Sequence, residues 1–226
     1  MIQINEQYLY DILKCLAQAN APIVFKGALL TKILVKDNKY NIERMTQDID
    51  ADWNGELLSI CELELYLNKI ISSLGNVRFK AFRNYGDNRS AGFYVYVNDE
   101  NIASLDLDMR KNNFFHLYEI DGVNFYGSNI DKIFSDKIFV LSTNKIFRRT
   151  KDMVDLYTLS SIADIDVESI KNILHNNNKS LENFDALLNR KDELKHAYEL
   201  LRRVINKPSF EDVYDCCINI AKKFVK

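Results

Sequence analysis

The sequence predicts an α+β fold, in which a mixed twisted sheet flanked by helices is followed by a helical bundle. Up to about residue 127, segments that alternate between apolar and polar residues are interspersed with segments of helical apolar spacing. Beyond that point helical spacing recurs alone, and no internal repeat is visible. The 226 residues suffice for one large or two small domains, and we predict domains at 1–127 and 128–226.

The composition excludes several classes of protein. Hydrophobic residues make up 47% of the chain and charged residues 27%, an ordinary balance for a globular domain. The net charge of −2 provides no general basic field, so any contact with RNA or DNA must come from a local patch. No apolar run approaches the roughly 20 residues that span a bilayer, and no signal peptide opens the chain. Four cysteines without C-x-x-C spacing indicate reduced thiols, so we expect a cytoplasmic protein.

The first elements place a glycine between a strand and a helix. Helical spacing over 5–19 is followed by an apolar strand at 22–25, and a second helix extends to about Leu34. Gly27 lies at the junction, where free backbone N–H groups and the helix dipole would point at one place and suit a phosphate. A tight turn that packs the helix on the strand would also explain this glycine.

An acidic strand follows a polar loop at 36–44. Three carboxylates on one face of a strand repel each other unless a cation lies among them, and a divalent metal with oxygen ligands is the usual cation. A solvated, acid-rich edge strand is the alternative, although Asp is disfavoured in strands. Alternation places the acidic side chains on one face and the apolar ones on the other: Asp48, Asp50 and Asp52 against Ile49, Ala51 and Trp53.

A second acidic strand is predicted further along the same half. Asp106 and Asp108 share one face there with Ser104. We expect the aromatic side chains of 93–97 and 114–118 to lie in the core rather than to form base-stacking platforms. The predicted elements of this region are a helix over 55–74 with Asn54 as N-cap and Gly75 as C-cap, strands over 77–82, 93–97, 102–109, 114–120 and 123–126, loops at 84–92 and 98–101, and a hairpin turn at Asp121-Gly122.

The second half is predicted to be helical throughout. Ser209, followed three residues later by Asp212, resembles a capping box at the start of the last helix. Arg148 and Arg149 belong to a basic cluster that could contact tRNA phosphates or could simply complement a helix dipole. The predicted helices cover 129–142, 150–163, 167–176, 181–188, 190–206 and about 210–225.

Together these features favour phosphoryl chemistry. Two carboxylates one residue apart on a strand, with a third on a neighbouring strand, can hold two divalent cations roughly 3.5–4 Å apart that clamp the attacking and leaving oxygens. A helix start can hold a triphosphate, and basic side chains can neutralise the remaining phosphate charge. The pattern therefore predicts nucleotidyl transfer from a nucleoside triphosphate (NTP).

Three motifs carry a resemblance to a known family, and they lie between residues 23 and 157. Phe25-Lys26-Gly27-Ala28, followed by Arg44-Met45-Thr46-Gln47-Asp48-Ile49-Asp50, resembles the opening motif of the DNA polymerase β-type nucleotidyltransferase fold. The arginine and the hydroxyl residue before D-x-D resemble the AbiEii-type abortive-infection nucleotidyltransferase toxins. Asp136-Lys137-Ile138 and the run from Arg148 to Leu156 resemble the second signature of that family.

The resemblance implies a role for each matching position. Asp106, with Asp108 as the alternative, would be the third carboxylate that orients or deprotonates the acceptor hydroxyl. Asp152 and Asp155 would orient basic side chains or the nucleotide. The implied catalytic residues are Asp48, Asp50, Asp106 and Lys137; the implied metal ligands are Asp48, Asp50 and Asp106; and the implied nucleotide-binding residues are Lys26, Gly27, Ala28, Thr46, Lys137, Arg149 and Asp152.

The resemblance also implies partners and a biological setting. It implies Mg²⁺ in a two-ion site, an NTP substrate, a tRNA acceptor and an antitoxin protein in a type IV toxin–antitoxin or phage-defence system, with no membrane. Ala28 stands where the family usually has glycine or serine, and Lys151 stands where it more often has arginine, so the grip on the triphosphate is expected to differ. Two alternatives remain open: a small-molecule, antibiotic-type nucleotidyltransferase, and a catalytically silent member that binds nucleotide, RNA or antitoxin.

Overall fold

A computed structural model of the chain describes residues 6–36, 41–85 and 89–225, so parts of the predicted loops at 36–44 and 84–92 lie outside the described residues. By its contacts the chain divides into two compact units. The first unit comprises Met1–Ile33 and Thr46–Ser128, and the second comprises Leu34–Met45 and Asn129–Lys226. The predicted domains at 1–127 and 128–226 stay a prediction.

Helices and strands both occur along the chain, as predicted from the sequence. The helices are α1 (Gln7–Gln18), α2 (Gly27–Leu34), α3 (Ile60–Ile71), α4 (Ile130–Leu141), α5 (Lys151–Leu159), α6 (Val167–Asn176), α7 (Asp185–Asn189), α8 (Lys191–Glu199) and α9 (Phe210–Lys222). The strands are β1 (Ile23–Lys26), β2 (Glu43–Arg44), β3 (Asp48–Trp53), β4 (Val77–Tyr85), β5 (Ser90–Val97), β6 (Glu100–Asp108), β7 (Phe115–Ile120), β8 (Val123–Ser128) and β9 (Val204–Ile205).

The first unit is built on a seven-stranded mixed sheet, and the α+β class with a mixed sheet is confirmed. The strand order is β4-β5-β6-β3-β1-β8-β7. The pairs β3/β6 and β1/β8 are parallel, and the other neighbours are antiparallel. α1 contacts β8, and α3 contacts β4. Inward-facing residues of the strands and the apolar stripes of the two helices are buried: Phe25, Ile49, Ala51, Phe93, Leu105 and Leu107 with Leu9, Ile12, Leu16, Leu63 and Leu67.

Helix α3 begins later than predicted. The prediction of an N-cap at Asn54 is wrong, because Ser59 accepts the Glu62 N–H while the Glu62 carboxylate accepts the Ser59 N–H. This reciprocal capping satisfies two backbone donors that the helix cannot. Asn54 instead exchanges hydrogen bonds with the backbone of Asn112 at 2.8 Å each way. Gly75 ends the following turn with φ +70°, as predicted.

The second unit contains α4 to α9 together with an antiparallel pair of short strands, β2 and β9. The predicted helix over 190–206 is wrong in its second half: α8 ends at Glu199, and β9 follows. Arg203 and Asn206 adopt φ +62° and +50°, which a helix does not allow. The predicted cap at Ser209 is confirmed, because its hydroxyl accepts the Asp212 N–H at 3.1 Å.

The hairpin turn between β7 and β8 is confirmed. Asp121 and Gly122 both have positive φ, at +49° and +77°, which is the conformation of a two-residue type I′ turn. Across the parts of the chain that the structure describes, none of the helices has the length and apolarity needed to traverse a bilayer.

Candidate active site

The carboxylates of β3 and β6 share one face of the sheet. The parallel register places Asp50 opposite Asp106 and Asp52 opposite Asp108. Asp48 lies opposite Ser104, whose hydroxyl donates a hydrogen bond to the Asp48 carboxylate at 2.8 Å. Neighbouring strands are about 4.8 Å apart, so the opposed carboxylates lie side by side. Two rows of acids therefore cross the middle of the sheet.

One of these rows runs across five strands with a cation at each end. Lys26 on β1 lies opposite Asp50, Asp50 opposite Asp106, Asp106 opposite Gly92 on β5, and Gly92 opposite Arg83 on β4. The Arg83 guanidinium crosses the glycine and pairs with the Asp106 carboxylate. A Cβ on Gly92 would lie 3.2 Å from the Arg83 Cβ, so the missing side chain is what lets the arginine approach.

Gly27 forms the junction between β1 and α2 and touches the acid row. Its φ is +68°, a left-handed conformation that favours glycine. A Cβ built at this position would lie 2.1 Å from Asp50 Oδ2. The Asp50 carboxylate thus lies directly against the first residue of α2, whose N-terminal end carries a partial positive charge.

The second row of acids, Asp52 and Asp108, is more buried, and both carboxylates have cations next to them. The Lys26 ammonium pairs with Asp52 and lies 3.8 Å from Asp108. Asp52 is 5% exposed and accepts a hydrogen bond from Asn112 at 2.8 Å. Asn112 also donates to the Ser128 hydroxyl at 3.0 Å. This row therefore anchors Lys26 at the edge of the site.

The two carboxylates of β6 differ in acidity. Partial burial raises the pKa of Asp106, and the nearby Asp48 adds to the rise, while Arg83 only partly offsets it. Burial also acts to raise the pKa of Asp108, but the hydrogen bond from Arg110 and the charge of Lys26 outweigh it, so that pKa is lowered. Asp106 is thus the better proton acceptor of the two, and neighbouring acids with opposite shifts are a pattern found at sites of acid–base chemistry.

Thr46, predicted to bind nucleotide, lies in the turn that leads into β3. Its hydroxyl donates to the Asp48 carbonyl at 3.2 Å and accepts from the Asp48 N–H at 3.3 Å. Its own N–H donates to Glu6 at 2.9 Å. The threonine is 7% exposed, and its contacts fix the start of the acidic strand.

Ala28 is the second residue of α2 in the first unit. The other predicted residues lie in the second unit, where a buried lysine and two buried carboxylates form an ionic cluster with the half-exposed Arg149. Lys137 is 6% exposed and donates to Asp155 at 2.6 Å and to Asp152 at 3.4 Å. Arg149 pairs with Asp152 at 2.7 Å, and Arg44 pairs with Asp155 at 3.0 Å. Burial acts to raise the pKa of Asp152, but the positive charges around it outweigh this and lower the pKa. The structure brings these residues together, and their contact with nucleotide stays a prediction.

The carboxylate oxygens of the first unit suit Mg²⁺ only in combination with a substrate. Over residues 6–36, 41–85 and 89–225, no group of three or more His, Cys, Asp and Glu side chains is arranged to hold a metal ion. Asp106 pairs with Arg83, and Asp48 accepts from Ser104. Mg²⁺, however, is usually held by one or two carboxylates together with substrate phosphates rather than by a cage of protein ligands. Asp48 and Asp50, with Asp106 beside them, provide oxygen ligands of that kind.

The sequence interpretation placed Ser104 on the acidic face without giving it a role, and it missed Arg83 and Gly92 as parts of the site. Ser104 could be placed because it alternates with Asp106 on the same strand. Arg83 could not, because the register of β4 against β5 shifts between Ala81 and Arg83. That irregularity, and not the local pattern, decides which face Arg83 occupies.

Comparison with known proteins gives matches at the level of structure alone. No family model matches the chain, and no curated protein matches its sequence. MenT4, a nucleotidyltransferase toxin of Mycobacterium tuberculosis, is similar with a TM-score of 0.57 and 14% identity over 95% of this chain and 80% of its own. An antigenic nucleotidyltransferase-like protein from Paracoccidioides brasiliensis gives 0.50 and 14% over 84% of this chain and 92% of its own. The lincosamide adenylyltransferase LnuA gives 0.48 and 14% over 71% and 99%.

The first two likenesses show that the chain has the fold of nucleotidyltransferases. At 14% identity they show the fold alone and do not single out the AbiEii type.

Proposed function

We propose that this protein transfers a nucleoside monophosphate from an NTP to an acceptor hydroxyl. The observation that carries the proposal is the placement of Asp50 opposite Asp106 on parallel strands, with the Asp50 carboxylate against the glycine that begins α2. The nucleotidyltransferase fold of MenT4 supports the same conclusion. A helix start beside paired carboxylates can receive both a triphosphate and its metal.

In the proposed site Mg²⁺ would be held by the carboxylates of Asp48, Asp50 and Asp106 and by the phosphates of the NTP. When bound there, the ion would neutralise phosphate charge and polarise the phosphorus–oxygen bonds. A two-ion site remains part of the proposal.

Asp106 is the proton acceptor in the proposed reaction. It lies opposite Asp50 across the parallel strands, whereas Asp108 pairs with Arg110 and lies next to Lys26. The acceptor oxygen forms a bond to the α-phosphorus while the bond from that phosphorus to the bridging oxygen breaks. Pyrophosphate leaves, and the hydroxyl proton passes to the Asp106 carboxylate. The Arg83 guanidinium pairs with the Oδ1 atom of this carboxylate, which leaves Oδ2 to accept the proton.

A tRNA acceptor and a toxin–antitoxin setting complete the proposal. They are supported by the motif resemblance and by the likeness to MenT4, which is itself described as a nucleotidyltransferase toxin. An antitoxin protein is the corresponding partner. Lys137 and Arg149 are proposed to contribute positive charge toward the nucleotide phosphates.

The test is a transfer assay with α-labelled NTPs, Mg²⁺ and total tRNA. We expect label on tRNA with the wild-type chain and a loss of at least about 100-fold in rate with Asp50→Asn, because one carboxylate that would hold Mg²⁺ beside the reacting phosphates is neutralised. Asp121→Asn is the matched control, since this carboxylate is exposed at the β7–β8 turn. Wild-type transfer by Asp50→Asn would refute the carboxylate assignment. Label only on a small acceptor would favour the antibiotic-type alternative, and nucleotide binding without transfer would favour the silent one.

A further inference from the structure

A β-bulge places two successive side chains of β4 on the acidic face of the sheet. Ala81 lies opposite Phe93, and the next pair is Arg83 opposite Gly92, so Phe82 is the extra residue. Bulges of this kind re-aim side chains next to functional sites. Here the bulge brings Phe82 and Arg83 beside each other at the edge of the acid rows.

The side chains around this bulge form a platform of rings and cations. Phe82 stacks on Tyr94 with ring centroids 4.1 Å apart and an angle of 17°, and Tyr94 meets Tyr96 edge to face at 6.3 Å. Phe82 is 40% exposed. Of the aromatic residues in 93–97, Phe93 is buried as expected, but Tyr94 is 37% exposed, so the expectation that it lies in the core is wrong. The platform is defined as Phe82, Tyr94 and Tyr96 with Arg78, Lys80 and Arg83.

Each ring of the platform has a cation next to it. The Arg83 guanidinium lies 5.3 Å from the Phe82 ring, and that of Arg78, which also pairs with Asp99, lies 4.5 Å from the Tyr96 ring. Lys80 is exposed opposite Tyr94. Exposed rings edged by arginine and lysine are the features with which proteins bind single-stranded nucleic acid without sequence preference.

Residues of the platform lie in the same row of the sheet as one of the acids. Lys80 lies opposite Tyr94, Tyr94 opposite Ser104, and Ser104 opposite Asp48, all in one row across β4, β5, β6 and β3. Two strand spacings, or about 10 Å, separate Tyr94 from Asp48. A base stacked on Tyr94 would therefore lie about 10 Å from Asp48, on the same face of the sheet as the carboxylates.

We infer that this platform binds the single-stranded 3′ end of a polynucleotide acceptor, with a terminal base stacked on Phe82 and Tyr94 and the backbone phosphates beside Lys80 and Arg78. The inference rests on the proposed function and names the acceptor class of the same site. Because the whole chain has a net charge of −2, contact with phosphates requires local positive charge, which Lys80 and Arg78 provide beside these rings.

A second exposed aromatic pair provides a comparison within the same sheet. Phe115 and Tyr126, on β7 and β8, are 43% and 50% exposed and meet edge to face at 5.3 Å. The residue opposite Tyr126 on β7 is Leu117, whereas the residue opposite Tyr94 on β4 is Lys80. The charge complementarity with a polynucleotide therefore belongs to the β4–β5 platform.

The test is fluorescence anisotropy with a 5′-labelled single-stranded RNA of about ten nucleotides, a length within the usual site size of stacking platforms. The assay contains neither NTP nor Mg²⁺, so its result is independent of transfer. We expect Tyr94→Ala to raise Kd roughly 5- to 150-fold, the factor that corresponds to losing one stacked base. Tyr94→Phe should retain wild-type affinity, and Tyr126→Ala should leave it unchanged. Thermal melts verify that each variant is folded.

Several outcomes would overturn the inference. These are absence of RNA binding by the wild-type chain, wild-type affinity in Tyr94→Ala, or an equal loss in Tyr126→Ala. A loss of affinity for a fluorescent NTP in Tyr94→Ala, with RNA binding intact, would place the substrate base on the platform and also overturn it. Transfer to tRNA that is unaffected by Tyr94→Ala would reject the platform while leaving the proposed function standing.

Discussion

At the residue scale, the site depends on two glycines that admit close neighbours. Gly92 lets the Arg83 side chain reach Asp106, and Gly27 lets the Asp50 carboxylate lie against the start of α2. Only Gly27 combines this contact with a positive φ, because Gly92 lies in a regular strand position. The conformation and the contact at Gly27 can be separated by experiment.

Gly27→Ala is expected to destabilise the first unit more than Gly75→Ala does. Both glycines have φ near +70°, so each substitution incurs the left-handed penalty of about 1–2 kcal/mol. A Cβ at Gly75 meets nothing within 4 Å, whereas one at Gly27 meets Asp50, which adds a clash of about 1–3 kcal/mol. Urea denaturation measures both values. Equal losses in the two variants would mean that Asp50 does not lie against Gly27.

At the element scale, α4 and α5 are joined by buried charges rather than by apolar contacts alone. Lys137 on α4 lies between two carboxylates of α5, and Arg149 and Arg44 pair with the outer oxygens of the same carboxylates. Charges buried in this way are stable only while each has a partner. The cluster therefore ties the N-terminal turn of α5 to the middle of α4.

Lys137→Met is expected to lower the free energy of unfolding by about 3 kcal/mol, because it leaves Asp152 and Asp155 buried with fewer partners. Lys145→Met, at an exposed lysine of the same unit, is the control and should change stability by less than about 0.5 kcal/mol. Circular dichroism during denaturation measures both. An unchanged stability in Lys137→Met would contradict the explanation by buried ion pairs.

At the scale of the whole molecule, the chain leaves the first unit after Ile33, returns to it at Thr46, and leaves it again after Ser128. The segment Leu34–Met45 belongs to the second unit and leads directly into the acidic strand of the first. Within the second unit this segment is held by the pairing of β2 with β9, by the Arg44–Asp155 ion pair, and by the Met45 N–H, which donates to the Arg203 carbonyl at 3.0 Å.

The acid stability of the molecule is expected to depend on the paired carboxylates of the second unit. Burial acts to raise the pKa of Asp136, but Lys132 and Lys179 outweigh it and lower the pKa to about 2. A carboxyl group with a lowered pKa stabilises the fold above its unfolded value, 3.8, and this contribution disappears as the pH falls through about 2. Stability should therefore drop between pH 4 and pH 2.

Asp136→Asn isolates this contribution. Because about a third of the Asp136 side chain is exposed, we expect a loss on the order of 1 kcal/mol at neutral pH. The difference from wild type should shrink as the pH falls toward 2 and vanish below it, where the wild-type carboxyl group is itself mostly protonated. Thermal melts across this pH range measure it, and a difference that persists at the lowest pH would contradict the ion-pair explanation.

The alternation of the sequence determined which side chains share a face on β3 and β6, and its glycines determined the turns at Gly75 and Asp121-Gly122. These features follow from backbone periods and local dihedral preferences, which depend on neighbours in the chain. Only the tertiary structure decided that Asp50 faces Asp106, that a bulge puts Phe82 and Arg83 on the acidic face, and that β9 interrupts a predicted helix. Register and strand pairing join residues far apart in the chain, so packing and loop closure determine them and the local pattern does not.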